Sequence, residues 1–228
     1  MPSIRFKLAF NNLIKEWKNA PSPDRASVAA DFIQGLLAQA SDSESKVSDC
    51  LDRLMIRMHD IESVAPEIMI VEPIGNYLFQ TIVIDSATTT RTLNPKGAEE
   101  EALIPSELLE RARKNLWNQV KPEINRRDGE FGRLTFIEAD YFGASFISVL
   151  DRFTEIGTTY WVSIPNRNMT LLLEPAQNSQ EALLKFLAIS SKISASAENQ
   201  YILPFVLEYK GGEFLDLCKR VDGKIEIL

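Results

Sequence analysis

The chain is predicted to be an α+β protein, with a mainly antiparallel sheet, packed helices and an N-terminal helical lobe. Three observations lead to that class. Apolar side chains recur at helical spacing through the first sixty residues. Beyond Pro66 the period changes, and short runs rich in β-branched and aromatic residues alternate with helical ones. Several of those runs are joined by two-residue turns such as Gly75-Asn76 and Gly211-Gly212, which suit hairpins and hence antiparallel pairing. The expected organisation is a helical lobe over residues 1–62 and an α+β domain over residues 63–228, packed as one compact unit.

Phe6, Phe10, Leu13 and Trp17 share one side of a first helix, with Lys7, Lys15 and Lys18 between them. That helix is expected to pack on the rest of the chain; a position on a membrane surface is the less favoured alternative. Residues 19–23 break the pattern. Ser22-Pro23 then suits a cap followed by proline at the first helical position, and Val28, Phe32, Leu36 and Ala40 line a second helix. Val47, Leu51, Leu54, Met58 and Ile61 form the cleanest stripe and predict a third.

Residues 67–71 and 77–84 are expected strands around Gly75-Asn76. Residues 86–102 are polar and irregular, with Glu99, Glu100 and Glu101 in succession. A helix is expected over 105–119, with Leu109, Ala112 and Leu116 on one side, followed by a charged loop over 125–132. Residues 134–139 are a strand. Asp140 is placed to cap a helix over 141–152. Strands over 159–164 and 169–173 flank the turn Pro165-Asn166-Arg167-Asn168. A helix over 181–193 precedes a hairpin of 202–209 with 213–219, in which Tyr209 faces Phe214 and Leu207 faces Asp216. Residues 221–228 add a last edge strand through Asp222-Gly223.

Composition excludes several classes of function. The 228 residues are 45% hydrophobic and 25% charged, which is a globular composition. The net charge is −7. Residues 1–65 hold 8 basic and 9 acidic side chains, leaving 17 and 23 for the remainder, so neither part is a basic module. No apolar run approaches a bilayer-spanning length, and the N-terminus lacks the apolar region and cleavage site of a secretory leader, so the cytoplasm is the expected location. Cys50 and Cys218 sit in apolar patterns and are expected to be buried free thiols. His59 is the only histidine, which leaves Ser-His-Asp and Cys-His chemistry one residue to share and excludes a histidine-rich metal site. No glycine-rich loop has the spacing and lysine of a phosphate cradle. No metal and no cofactor is called for.

Four places in the second half carry a family resemblance. They are Ala112-x-x-Asn115-Leu116 followed by Pro122, the stretch Asp140-Tyr141-Phe142-Gly143-Ala144-Ser145, Ser163-Ile164-Pro165-x-x-Asn168 leading into an apolar run, and the Gly211-Gly212 hairpin. In order and spacing they resemble the YtpQ-like family of bacterial cytosolic proteins, from about Pro105 onward. The resemblance implies a mixed α and β fold and brings no chemistry, since that family has no established activity. In the family's pattern an acidic residue often stands at the place of Gly143 and a glycine at that of Tyr141. These departures weaken any reading of this helix start as a catalytic centre.

The candidate site residues are polar groups at turns and junctions. Glu138 and Asp140 flank a strand-to-helix junction, where open α/β sheets place ligands and where paired carboxylates divide acid and base roles or bind Mg²⁺; the plainer reading is a helix cap beside a solvated glutamate. Asn166, Arg167 and Asn168 form the neighbouring turn. Asp216 and Glu208 fall on opposite, largely apolar faces of the last hairpin. Either one face is partly open, or one carboxylate has a partner such as Arg167 or Arg220, or one has a raised pKa and a function. Residues 111–133 hold seven basic side chains, but no aromatic residues interleave with Arg126-Arg127, so nucleic-acid binding is not expected.

The leading expectation is a non-enzymatic module that binds another protein, with a homo-oligomer as a further option and neither nucleic acid nor membrane as partner. The alternative is a small-molecule-binding or hydrolytic enzyme using the carboxylates near Glu138 and Asp140.

Overall fold

Two larger antiparallel sheets and a separate two-stranded one, with helices packed on them, build the α+β fold of this chain in a computed structural model that describes residues 17–43, 46–86, 90–177, 179–196, 205–221 and 224–228. Phe6, Phe10 and Leu13 of the first expected helix lie outside these residues, as does the expected turn Asp222-Gly223. Helix α1 (Arg25–Ser43) follows a short 3-10 turn, Ser22–Asp24. The cap of that turn is Pro21, with no side-chain bond, so Ser22 does not play the capping role expected of it.

The expected third helix is corrected. Ser48–Arg53 is a 3-10 turn, and Leu54–Asp60 is strand β1. Leu54, Ile56 and Met58 alternate, while Leu51, Leu54 and Met58 recur at helical spacing, so either period fits the sequence. Tertiary pairing decides between them: β1 pairs residue for residue with β3 (Leu78–Asp85), from Leu54↔Ile84 to Asp60↔Leu78. The Asn115 amide also donates to the carbonyls of Leu51 (2.8 Å) and Leu54 (2.9 Å), anchoring the entry to the strand. The strand thus pairs across the boundary expected at residue 62.

The first sheet is completed by β2 (Val71–Ile74) and β4 (Thr90–Thr92), both paired with β3. β2 begins where the strand expected over 67–71 was to end, because residues 66–69 turn and bend. The stretch 86–102, expected to be irregular, holds β4 and the short helix α2 (Pro95–Glu100), which Asn94 caps at the amide of Lys96. Helix α3 (Pro105–Gln119) has its expected bounds.

The second sheet contains β5 (Glu123–Gly129), β6 (Gly132–Glu138), β7 (Tyr160–Asn166), β8 (Met169–Pro175), β9 (Val206–Lys210) and β10 (Glu213–Asp216), in the order β10-β9-β7-β8-β6-β5. β5 replaces the charged loop expected over 125–132. It is exposed along its whole length, so no apolar alternation marks it, and its charges suit an edge strand. Residues Gly143–Arg152 are 3-10 rather than α-helix, kinked at Val149, and start from Phe142 with no side-chain cap; Asp140 is therefore not the cap. Helix α4 (Gln180–Ser196) packs on β7 and β8, and β11 (Cys218–Val221) pairs with β12 (Lys224–Ile227). The β9–β10 register is as expected, Tyr209↔Phe214 and Leu207↔Asp216.

Both faces of the second sheet's central strands are covered, which explains their apolar residues on either side. One face contributes Ile137, Val162, Leu172 and Leu207 to a core shared with the first sheet and α3. The other packs Trp161, Leu171, Leu173 and Val206 against Ala182, Leu183 and Phe186 of α4. Phe205 and Cys218 belong to this second core rather than to the face of Leu207, because regular alternation starts at Val206 and is broken at Leu217. Cys50 and Cys218 are both free and buried. Among the described residues no helix is long and apolar enough to cross a membrane.

Candidate functional site

The residues singled out at the β6 junction and the β7–β8 turn lie together, and most of their polar groups are engaged with one another. The Asn168 side-chain oxygen accepts from the Tyr141 amide (3.0 Å), its carbonyl accepts from Ala139 (3.0 Å), and the Asn166 side chain accepts from the Asn168 amide (2.9 Å). The Arg167 carbonyl accepts from Ala144, and Thr170 Oγ1 donates to the Gly143 carbonyl (both 2.9 Å). The approach is so close that a Cβ on Gly143 would stand 1.8 Å from the Asn168 carbonyl oxygen. Tyr141 takes the left-handed conformation, φ +62°, to make the corner. Asn166 and Asn168 are thus the fasteners of a strand-to-turn junction. Glu138 is half-buried and faces Glu123 and Met169 across the sheet, while Asp140 is exposed.

Asp216 is drawn into a different contact. Its carboxylate accepts from the Asn76 amide (3.1 Å) and from Asn76 Nδ2 (2.5 Å), fastening the β2–β3 turn of one sheet to β10 of the other. A Cβ on Gly75, at φ +69°, would lie 2.7 Å from Asp216 Oδ1, so that turn needs glycine on two counts. The partner foreseen as Arg167 or Arg220 is therefore Asn76 among the described side chains, which do not include that of Arg220. Glu208 is half-buried opposite Trp161, and its other neighbour Leu215 is 63% exposed, so that side of the hairpin is partly open.

A broad concavity lies elsewhere. A cleft of about 1140 Å³ runs between α3, the 3-10 segment, the β2 end of the first sheet and the β9–β10 hairpin. Its walls carry Arg111, Arg113, Lys114 and Arg152 against Glu72, Glu107, Glu110 and Asp151, with Trp117, Tyr209 and Phe214 among them. Arg113 bridges Glu72 and Glu110, and Gln80, itself buried, donates to the same Glu72 carboxylate. Trp117 is 37% exposed, edge-on to Phe153 (ring centroids 5.6 Å) with the Arg152 guanidinium over its ring. Burial raises the Tyr209 phenol above its usual range, keeping it neutral. Periodicity on α3 had marked only its apolar side; the cleft lies along the charged remainder, which no short-range pattern distinguishes from a solvated face.

A second cluster came from residues that the helical reading of β1 had kept apart. As alternate residues of a strand, Arg57 and His59 share a face. Arg57 Nη1 donates to Thr90 Oγ1 (2.8 Å), while Arg57 Nε and His59 Nε2 are buried without a hydrogen-bond partner. Desolvation first, then the charges of Arg57 and Arg167, bring the imidazole down to about 4, so it is neutral at pH 7 and a weak base. Among the described residues no group of three or more His, Cys, Asp or Glu is placed to hold a metal ion.

Comparison with protein-family models, with curated proteins and with solved structures finds no match to this chain.

Proposed function

We propose that the protein is a binding module for another polypeptide, and that the cleft along α3 is where the partner docks. The observation that carries this reading is the composition of an open cleft of about 1140 Å³. Small-molecule sites are mostly apolar and roughly 300–1,000 Å³ in volume, enclosing their ligand. This cleft is larger and open, and charges of both signs line it around a half-exposed tryptophan. Tryptophan, tyrosine and arginine dominate the energetics of protein interfaces, and Trp117, Tyr209, Arg111 and Arg152 all border this groove. Paired charges on the walls set register and partner choice more than affinity. The resemblance to the YtpQ-like family, which brings no activity, is compatible with this proposal and adds nothing to it.

The test is quantitative affinity capture from the native host with the full chain, a Trp117→Ala/Arg152→Glu variant, and a control altered on the distant edge strand, Glu123→Ala. A partner retained by the first and third and reduced at least tenfold by the second is expected, as loss of an aromatic anchor costs ~2 kcal/mol. Identical capture by all three would remove the cleft from consideration.

A further inference from the structure

We propose that Arg57, His59 and Arg167 form a binding site for a phosphate-type oxyanion. The turn bearing Arg167 is fixed beside β1 by two bonds from adjacent residues: Ala144 donates to the Arg167 carbonyl (2.9 Å), and Ser145 Oγ donates to the Ile56 carbonyl (2.7 Å). The charge of Arg167, carried on this turn, acts on both Arg57 and His59, which share one face of β1. Both arginines are partly withdrawn from water, and among the described residues neither has a carboxylate within ion-pair distance. Two cations held together in a desolvated place are costly unless an anion joins them.

The remaining charges nearby do not supply it. Asp85 and Asp60 lie close enough to favour the charged forms of Arg57 and His59, but the repulsion from Arg167 outweighs each of them. Burial also raises the Asp85 carboxyl, weakening it as a counterion. What is left is a set of donors without acceptors. Arg57 Nε and His59 Nε2 are buried and unpartnered. A neutral imidazole has one N–H to give, and a guanidinium has a planar fork matched to two oxygens of one anion. A tetrahedral oxyanion accepts from several directions at once and adds the missing negative charge. The site calls for the oxyanion itself, free or at the end of a small phosphomonoester.

Because His59 is the only histidine, its imidazole proton resonances report the site without ambiguity. The full chain is titrated with inorganic phosphate, and separately with AMP, against sodium chloride at matched ionic strength. Saturable movement of the His59 resonances with phosphate or AMP is expected, together with a rise in the His59 pKa from about 4. Saturation by phosphate assigns a free-ion site, and saturation by AMP alone assigns an ester site. Arg167→Gln keeps the backbone carbonyl that accepts from Ala144 and is expected to weaken saturation about tenfold, the cost of one charge-assisted hydrogen bond. In phosphate-free buffer the same variant is expected to unfold at a higher temperature, because it removes an uncompensated charge. No saturable response to either probe beyond chloride, or an equal response in Arg167→Gln, overturns the proposal.

Discussion

Two residues at one corner are governed by the backbone around them. Tyr141 sits at φ +62° with 61% of its surface exposed, so its side chain offers little packing in return for a backbone that L-residues avoid. Gly143 sits where the Asn168 carbonyl leaves no room for any side chain. Tyr141→Gly is therefore expected to stabilise the fold by about 1 kcal/mol, the left-handed strain relieved less the added freedom of the unfolded chain. Gly143→Ala is expected to cost about 3 kcal/mol, since backbone must shift to admit the methyl group. Chemical denaturation of both variants checks the pair; equal and opposite small shifts would mean that the corner is softer than its contacts imply. The sequence announces such positions poorly. Asn166 and Asn168 are visible as turn formers, but that the Asn168 side-chain oxygen accepts from the Tyr141 amide just past the end of β6 depends on a partner 27 residues away. Asp140, with the right residue type for a cap, fails in that role because the segment begins as a 3-10 turn from Phe142.

At the scale of elements, local signals succeed where the local environment decides and fail where a distant partner does. Helix α3 has a proline at its start and a strong amphipathic period, and its bounds are those expected. The hairpin register at Gly211-Gly212 follows from turn geometry alone. The segment from Val47 to Asp60 fits two periods, and its outcome depends on β3 and on Asn115. It also depends on Glu101, whose carboxylate accepts from the amides of Val47 and Ser48 and so holds the start of the 3-10 turn before β1. Bonds to Ser48 lead the effects that lower the Glu101 pKa below the ordinary carboxylate value. The sign follows from the proton balance. The unfolded chain binds the proton more readily, so the contribution is fully present above the ordinary glutamate pKa and disappears as pH falls through the lowered folded value. Glu101→Gln is expected to lose stability at pH 7 and to show a shallower decline between pH 5 and pH 3 than the parent chain. Amide exchange at Val47 and Ser48 locates the effect: faster exchange there in the variant, with β6 and β8 unchanged, is the expected pattern.

For the molecule as a whole, the decisive question is whether the two sheets unfold as one body. They share a core, in which Leu54, Ile56 and Ile82 of the first sheet belong to one cluster with Val162, Leu172 and Leu207 of the second. Such a shared interior makes each sheet's apolar face depend on the other for burial, and that dependence is the physical basis of cooperativity. The Asn76–Asp216 clasp crosses the same boundary at the surface, between residues 140 apart in the chain. A clasp between two independently stable halves would alter only their docking; within a single cooperative body it adds its energy to the whole. Asp216→Ala is accordingly expected to lower global stability by about 1–2 kcal/mol, the usual value of hydrogen bonds to a charged acceptor at a partly screened position. Because the Asn76 amide survives substitution, Asn76→Ala should cost less, and the double variant should fall short of the sum by up to about 1 kcal/mol. Urea unfolding followed by far-ultraviolet circular dichroism and by tryptophan fluorescence, to which Trp161 in the core between the second sheet and α4 contributes, should give coincident transitions in all four chains. Separated midpoints in the Asp216→Ala chain alone would mean that the clasp, and not the shared core, is what couples the two sheets.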